Sequence, residues 1–431
     1  MDSVRVTDSA PDDWKYVSEG GATIVFAYTG TSKTKHFHGR VLRLRKVLIS
    51  DEDQIKYIDD EEEPDDPMIA FQDSIIANLV PPEYLPDLDV VLLDPQWLYR
   101  LEQLRDNDRP AQRRRKDKID KRRRKGILAT DLVGGVNTLA VEIKPKWGFL
   151  PTSTHLSKGT APVKTMTCRF CMHTHLRSMD GDVPTQYCPL DLYSGDEARV
   201  RKAIQDLWDG WVASDGSLNN LRLFISGKML KPSDVRAYYR SNSGLQQLLV
   251  PDDALGKDLR DVFTAALLPL ILQTPVLATI SRLQRTLDAL DVEGLSKLYA
   301  SAALDAKNDL GSSTNPSFDE LQDFVASYHS SYCAWDHSKP DPAHIRTYMT
   351  AYLLSATFKD CSIIIKVKHG EAASFRAEPI QSISVIDLDL KDMDRLARWT
   401  DLDREIVERY KAVDVARRKI CEATSNLAVS H

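Results

Sequence analysis

The sequence predicts an α+β protein built from two lobes. Apolar and polar residues alternate from Trp14 to Lys46, as they do in strands, whereas apolar residues recur at helical spacing over much of the second half. In addition, a chain of 431 residues is longer than domains with one compact hydrophobic core usually are. We therefore expect a small strand-rich N-lobe over residues 1–131 and a larger mixed, helix-rich C-lobe over residues 132–431.

The N-lobe begins with a predicted hairpin. The strings WKYVSEGGATIVFAYTG and HFHGRVLRLRK, within Trp14 to Lys46, alternate around a glycine pair, which is typical of strands joined by a tight turn. A further apolar strand is predicted at Ile127 to Asp131, and we place the lobe boundary at Asp131. An acidic segment, 51–67, and a basic segment, 105–125, interrupt the lobe, and we interpret both as solvated inserts.

The C-lobe alternates predicted strands and longer helices. Strands are predicted at Leu139–Ile143, Leu221–Ser226, Cys361–Val367 and Ile380–Leu390, and helices at Gly195–Trp208, Asp258–Tyr299, Ser317–Tyr328, Pro342–Thr357 and Leu402–Ala423. The apolar run 262–280 is long enough to span a membrane, but Pro269, Gln273 and Pro275 favour a broken, buried helix.

Composition narrows the class of protein. The chain is 42% hydrophobic and 28% charged, with a net charge of -6, which is ordinary for a globular protein and excludes a fibrous or wholly disordered chain. Six cysteines without a disulfide spacing and an N-terminus without an apolar signal region predict an intracellular, nuclear or cytoplasmic protein. The run 113–125 lacks interleaved aromatics, so we favour a nuclear-import signal or solvated loop over the alternative of a nucleic-acid-binding or scaffold protein.

A glycine turn lies between the first two predicted strands. Its paired glycines would let backbone amides approach a phosphate, and Arg43 on the next strand would hold nucleotide phosphates. A plain hairpin turn and a solvent-facing charged strand are the alternative interpretations. The residues of the turn are Glu19, Gly20, Gly21, Ala22 and Thr23.

Two lysines flank a proline in the string Glu142-Ile143-Lys144-Pro145-Lys146. Proline keeps the backbone extended, so the two ammonium groups are held near each other. Like charges are normally kept apart, and their pairing beside an apolar strand indicates an anion between them. Ordinary exposed lysines are the alternative.

The string CRFCMHTHLR, which starts at Cys168, offers a possible zinc motif. Its CxxC is followed by His173 and His175, but four ligands crowded into one short stretch are atypical of structural zinc. On a helix Arg169, His173 and Arg177 share one face, and we favour a phosphate-binding role for them. A second, looser group is interpreted as surface histidines near a loop: His329, Cys333, His337 and His344.

Two aspartates stand at predicted strand ends. Asp360 precedes the strand SIIIKV, and Asp387 follows the strand ISVI. One such carboxylate can accept a hydroxyl proton while another holds magnesium at the nucleotide phosphates, although capping or turn roles are the commoner use. Lys391, Arg395 and Trp399 follow at spacings of four and fall on one helix face.

These strings occur together in one known family. The motifs EGGA, EIKPKWGFLP, RFCMHTHL, LQRTLDALDVEG, ATFKDCSI and IDLDLK follow one another between Glu19 and Arg395, and the chain resembles inositol-pentakisphosphate 2-kinases. The resemblance implies a fold related to inositol polyphosphate and protein kinases, with magnesium and ATP. It also implies inositol 1,3,4,5,6-pentakisphosphate as acceptor, phosphorylated at its 2-hydroxyl to give phytic acid.

The resemblance also assigns roles to residues. It makes Asp360 the catalytic base and Asp387 the magnesium ligand. The implied ATP-binding residues are Glu19, Gly20, Gly21, Ala22, Thr23, Arg43 and Glu142, with Asp131 and Leu132 at the adenine hinge. The implied acceptor-binding residues are Lys144, Lys146, Arg169, His173, Arg177, Lys391, Arg395 and Trp399.

Some points depart from the family pattern or stay open. Thr23, Arg177, Ser226 and Trp399 replace the residues common at their positions, and the zinc site of plant relatives has no evident ligand set. A monomer is expected, without a membrane or a required nucleic acid. An inositol polyphosphate kinase with another hydroxyl target is the alternative activity, although its PxxxDxKxG string is absent.

Overall fold

The computed structural model describes residues 3–31, 35–51, 63–234, 258–302, 314–368 and 380–423. These residues form eleven β-strands, arranged in two antiparallel sheets, and thirteen α-helices. The α+β class predicted from the sequence is confirmed.

The first sheet contains the glycine turn. Its strands are β1 (Trp14–Glu19), β2 (Thr23–Tyr28), β3 (Arg40–Leu48), β4 (Leu88–Leu92), β5 (Asp117–Ile119) and β6 (Lys125–Thr130). They are ordered β1-β2-β3-β6-β4, with β5 paired to β3. Alternate residues such as Ile24, Phe26, Leu42 and Leu44 are buried against Trp14, which explains the period-two pattern of the sequence.

Three helices, α1 (Pro67–Ser74), α2 (Pro95–Arg105) and α3 (Ala111–Arg114), accompany this sheet. The interpretation of residues 105–125 as a solvated insert is wrong for part of the segment, which contributes β5 and buries Arg109, Asp117 and Ile119, whereas residues 110–113 are exposed. Residues 52–62 of the acidic segment lie outside the described residues. Within the described part of that segment Glu63 is buried, since it is 6% exposed and binds Arg123 at 2.8 Å, whereas Pro64 and Asp65 are exposed.

The second sheet gathers the ends of several motifs. Its strands are β7 (Thr138–Ile143), β8 (Leu221–Ile225), β9 (Lys228–Leu230), β10 (Ser362–Lys368) and β11 (Ile380–Ile386), ordered β11-β10-β7-β8-β9. Ile363 pairs with Ile143, and Ser362 pairs with Ile386. Lys144, Asp360 and Asp387 therefore lie at one end of this sheet.

Ten further helices surround the second sheet. They are α4 (Ala161–Lys164), α5 (Arg169–Met179), α6 (Pro189–Leu192), α7 (Glu197–Ala213), α8 (Leu259–Gln273), α9 (Val276–Leu287), α10 (Asp291–Ser301), α11 (Phe318–Tyr328), α12 (Ile345–Asp360) and α13 (Arg395–Lys411). The single helix predicted over 258–299 is three helices, with Pro275 at the first break. The helix predicted over 402–423 is α13, which starts earlier and ends at Lys411; a coil with one short 3-10 helix, Val415–Arg417, follows it.

In the part of the chain described here, no single helix is long and apolar enough to cross a membrane. The stretch Leu259–Gln273 together with Val276–Ser301 passes that test of length and composition only as a pair bent by 63°. Its side chains Phe263, Leu267 and Ile280 are buried in the main core, which accounts for its apolar sequence.

Candidate functional site

A cavity of about 380 Å³ lies between the two sheets. Strands β1, β2 and β3 line one side, and β7, β10 and the chain after β11 line the other. It contains most residues for which the sequence predicts nucleotide binding: Glu19, Gly20, Thr23, Arg43, Asp131, Leu132, Glu142 and Asp387. Gly21 and Ala22 belong to the same turn but are not part of the cavity wall.

The glycine turn is open on the side where a ligand would approach. Gly20 N donates to Thr23 O at 2.9 Å, and a Cβ added at Gly20 or Gly21 would meet nothing within 4 Å. The protein's own packing therefore does not require either glycine. Space beside backbone amides is what a phosphate needs, so the turn fits a nucleotide.

The Glu19 carboxylate anchors this turn in a buried ion cluster. Its Oε2 accepts from Lys46 Nζ at 3.1 Å and from Arg109 Nη2 at 2.9 Å, and both cations also bind Asp117. Burial would raise the pKa of Glu19, but the two cations outweigh it and lower the pKa below the ordinary value of 4.5. The cluster holds the start of the turn rather than presenting a free carboxylate.

Arg43 is the cation that the first sheet directs toward the cavity. It pairs with Val25 of β2, whereas its same-face neighbour Arg45 binds Asp66 at 2.7 Å. The Nε of Arg43 is buried and makes no hydrogen bond to the described residues. A buried guanidinium nitrogen without a partner is costly, so this atom fits an anionic ligand in the cavity.

Asp131 shapes the connection between the two sheets. Its carboxylate accepts from the N–H groups of Val133 and Gly134 at 3.1 and 2.7 Å, which closes an Asx turn. Its own N–H donates to Gly39, and its carbonyl accepts from Lys366 at 2.6 Å. Asp131 therefore sets the backbone that places Leu132 in the cavity wall.

Two carboxylates approach each other where the cavity meets the end of the second sheet. The hydroxyl of Ser362 lies 3.0 Å from Glu142 Oε1 and 3.1 Å from Asp387 Oδ2. Lys144 Nζ donates to the same Asp387 oxygen at 2.8 Å and lies 3.4 Å from the carbonyl of Asp360. Lys144 thus connects the two predicted acids.

A second, cationic cavity of about 320 Å³ adjoins this end of the sheet. Its walls come from the chain after β7, α5, the end of α12 and the start of α13. It brings together residues that the sequence separates by up to 253 positions: Lys146, Arg169, His173, Arg177, Asp360, Lys391, Arg395 and Trp399. The set contains every predicted acceptor-binding residue except Lys144. Asp360, the predicted base, lies among them.

Asp360 is held by the ammonium groups of this cavity. Lys391 Nζ lies 3.0 Å from Oδ2, and Lys146 Nζ lies 3.5 Å from Oδ1. Burial would raise the pKa of Asp360, but Lys391, Lys146 and Lys144 together lower it below its ordinary value. The carboxyl group is therefore ionised at neutral pH, as a proton acceptor must be.

Lys146 adopts a strained backbone conformation that the surrounding core imposes. Its φ is 65°, in the left-handed region that side chains other than glycine seldom enter. Its carbonyl accepts from the buried side chain of Gln284 at 2.9 Å and from Tyr193 OH at 3.2 Å. Asp387 also has a positive φ, 60°, so strain coincides with two predicted site residues.

The helix predicted at Arg169 is confirmed as α5, and one face of it enters the cationic cavity. Arg169 is fixed by Asp403, whose Oδ1 lies 3.1 Å from Nε, and by the ring of Trp147 at 4.8 Å. Burial, followed by Arg169, Arg177 and Lys146, lowers the pKa of His173 to about 4. When no anion is bound, His173 is therefore an uncharged imidazole surrounded by cations.

Sequence reasoning missed several residues of this cavity. Asn219 and Asn220 line it, and Asn220 pairs with Lys144 through the backbone at 3.0 Å. Their position just before β8, the strand beside Lys144, is a signal that was available. Lys359 is buried, binds Asp288 at 2.5 Å and lies 4.1 Å from the Trp147 ring, under the cavity.

The structure revises the expectations about metal ligands. Within the described ranges, one group of at least three His, Cys, Asp or Glu side chains converges closely enough to hold a metal: Cys168, Cys171, Cys188 and Cys421, whose sulfur atoms lie within 4.8 Å of one another. His173 faces the cationic cavity and His175 packs on Tyr410, so neither completes the CxxC. The sequence interpretation disfavoured zinc at Cys168 and Cys171. It did not consider Cys188 and Cys421, which lie 17 and 250 positions downstream of Cys171, as further ligands.

The second histidine group forms no such ligand set among the described residues. His344 stacks on Trp335 at 4.4 Å, and His337 Nδ1 lies 3.2 Å from Tyr348 OH. Aromatic packing accounts for both rings.

The two cavities define a class of protein. An open glycine turn with an unpaired buried arginine nitrogen on one side, and a carboxylate among cations on the other, are the parts of an enzyme that moves a phosphoryl group to a polyanionic acceptor. The family model for inositol-pentakisphosphate 2-kinase matches residues 16–405, and the chain belongs to this family.

Similar proteins from distant organisms share nearly the whole chain. Inositol-pentakisphosphate 2-kinase of Cryptococcus neoformans is 35% identical over 431 residues, which cover 95% of this chain and 96% of that protein. The protein of the same name from Arabidopsis thaliana is 26% identical, with 97% of each chain covered. The Danio rerio protein of that name is also 26% identical, with 93% of each covered.

Proposed function

We propose that this chain transfers the γ-phosphate of ATP to the 2-hydroxyl of inositol 1,3,4,5,6-pentakisphosphate and so forms inositol hexakisphosphate. The observation that carries the proposal is the position of Asp360, a carboxylate inside the cationic cavity that Lys144 connects to the acids of the inter-sheet cavity. Family membership supports the same activity.

The cationic cavity suits an acceptor with many phosphates. Five phosphomonoesters at about -1.5 to -2 each carry a charge of roughly -8 to -10 near neutral pH. Arginines can bind such groups through two hydrogen bonds, and lysines act as point charges. We assign these contacts to Lys144, Lys146, Arg169, His173, Arg177, Lys391 and Arg395, with Trp399 packing at the wall.

Asp360 is the proposed catalytic base. It accepts the proton of the attacking hydroxyl while the new oxygen–phosphorus bond forms and the bond between the γ-phosphorus and the β-phosphate oxygen breaks. Lys146 and Lys391, which hold the carboxylate at 3.5 and 3.0 Å, orient it toward the cavity. The open turn from Glu19 to Thr23 and Arg43 bind the nucleotide phosphates.

Glu142 and Asp387 fit a magnesium ion, because oxygen ligands are what this cation prefers and both carboxylates approach Ser362. Magnesium, when bound there with ATP, would neutralise charge on the nucleotide phosphates. Lys144 Nζ donates to the Oδ2 of Asp387 at 2.8 Å and so fixes the position of this carboxylate.

We also propose that the architecture is a two-lobed, kinase-like fold. Residues 1–131 and 132–431 form the lobes, with Asp131 and Leu132 at the hinge beside the adenine. We propose a monomer inside the cell, in nucleus or cytoplasm, without a membrane or nucleic acid. Acidic side chains of the protein itself pair with cations of the basic run. Glu63 binds Arg123, and Glu102 binds Lys121 at 2.6 Å.

An activity assay tests the function. The purified chain is incubated with magnesium, ATP and inositol 1,3,4,5,6-pentakisphosphate, and the products are separated by charge. We expect inositol hexakisphosphate, and its absence would refute the proposal. Pentakisphosphate isomers that already carry a 2-phosphate serve as controls, and phosphorylation of these isomers instead would favour a kinase with another hydroxyl target.

A further inference from the structure

Four buried cysteines form a cluster outside both cavities. Cys168, Cys171, Cys188 and Cys421 are 0%, 9%, 1% and 5% exposed, and their sulfur atoms all lie within 4.8 Å of one another. The side chains Leu150, Phe170 and Leu190 pack around them. All four are free thiols in the structure, so no disulfide explains their convergence.

The spacing of the sulfur atoms fits one tetrahedral ion. Zinc–thiolate bonds of about 2.3 Å place neighbouring sulfurs about 3.8 Å apart. The sulfurs of Cys168 and Cys188 are 3.9 Å apart, whereas a disulfide needs about 2.05 Å. Four thiolates in a closed, buried site are a common donor set of structural zinc.

The backbone prepares the first pair of ligands. Cys168 is the N-cap of α5, and its sulfur accepts a hydrogen bond from Cys171 N at 3.4 Å. This contact directs both sulfurs of the CxxC to the same point. Cys188 immediately precedes α6, and Cys421 lies in the coil beyond α13.

A lysine beside the cluster complements its expected charge. One zinc ion with four thiolates carries a net charge of -2. The ammonium of Lys419 donates to the carbonyl of Gln186 at 2.9 Å and also reaches the sulfur of Cys171. An ammonium that touches a ligand sulfur without binding the metal stabilises a negatively charged centre.

We propose that Cys168, Cys171, Cys188 and Cys421 bind one structural zinc ion, which fastens the C-terminal segment 412–423 to the start of α5. Existing contacts already bring that segment into place. Thr167 Oγ1 donates to the carbonyl of Lys419 at 2.6 Å, and Cys421 N donates to the carbonyl of Met166 at 2.8 Å. The ion would lie next to Arg169, the first cation of the α5 face.

The test measures metal rather than catalysis, so its outcome is independent of the proposed kinase function. The full chain is purified without chelator, and its metals are quantified by mass spectrometry. Cys421→Ser and Cys188→Ser remove ligands, and Cys333→Ser is the matched control because Cys333 is exposed and outside the cluster. Lys419→Gln keeps every thiol and should weaken zinc affinity roughly 10- to 100-fold.

We expect one zinc per chain in the wild type and in Cys333→Ser, and a small fraction of that in the two ligand variants. If the ligand variants do not fold, a mercurial added to the wild type should still release one equivalent of zinc as the thiols react. Three results would overturn the proposal: wild-type protein without zinc after growth with added zinc, fewer than six alkylatable thiols in the unreduced, unfolded chain, or iron with sulfide in place of zinc.

Discussion

Removal of Arg109 should destabilise the protein far more than its place in a basic run suggests. In the ion cluster, Arg109 and Lys46 face the carboxylates of Glu19 and Asp117, and the side chains are 2–5% exposed. Arg109→Met leaves one ammonium between two buried carboxylates. It also removes the donors at 2.9 Å from Glu19 and 2.6 Å from Asp117.

Removing one partner of a buried ion pair typically costs about 3–5 kcal/mol, because the other charge is left in a poor environment. We therefore expect Arg109→Met to lower the free energy of unfolding by about that amount and to raise KM for ATP, since Glu19 begins the glycine turn. The control Arg113→Met changes an exposed arginine of the same segment and should shift stability by no more than about 0.5 kcal/mol.

Urea unfolding at pH 7 measures the difference, and a pH series checks its origin. The pKa of Glu19 is lowered in the folded state, so its contribution is present above its ordinary value of 4.5 and is lost as the pH falls through the folded value. The loss on acidification should be smaller in Arg109→Met than in the wild type. Equal stabilities for Arg109→Met and Arg113→Met would refute the anchoring role.

Three further predictions concern the cationic cavity. Asp360→Asn should lower kcat about 10²- to 10⁴-fold while acceptor affinity changes little. The control Asp401→Asn changes an exposed aspartate and should leave kcat unchanged. Wild-type turnover in Asp360→Asn would show that Asp360 is not the base. Because the pKa of His173 is about 4 without ligand, acceptor phosphates should raise it, so calorimetry near pH 6 in several buffers should show more proton uptake in the wild type than in His173→Gln, in which only the acceptor phosphates exchange protons; equal exchange in the two proteins would contradict this. Acceptor KM should rise steeply with salt, and a salt-independent KM would contradict binding by charge.

Local patterns in the sequence predicted most elements of the fold. Strands β1 to β3 and helices α7 and α11 follow from alternation and helical spacing, because each buries one face against a core. Strand β5 could not be predicted this way. Its three residues, Asp117–Ile119, lie in a run of charges whose burial depends on partners about 70 to 100 residues away in sequence.

The site was predictable where function leaves a local signature. Lys144 and Lys146 around a proline and the spacing of Arg169 and His173 on a helix could be found without a structure, although the roles of these residues stay predictions. The cysteine cluster could not be found, because Cys421 is 250 positions from Cys171 and its approach depends on the coil after α13. Spacing rules detect ligands that are neighbours in sequence, not ligands that tertiary packing brings together.

If Asp360 is the base, as proposed, the lysines around it also make binding of the acceptor part of the activation of that base. A carboxylate between two ammonium groups has a low proton affinity and deprotonates a hydroxyl poorly. When phosphates of the acceptor compete for Lys146 and Lys391, the field at Asp360 weakens and its basicity increases. Water carries no phosphates that could compete for these lysines. Hydrolysis of ATP by water would therefore stay slow until the acceptor alcohol binds.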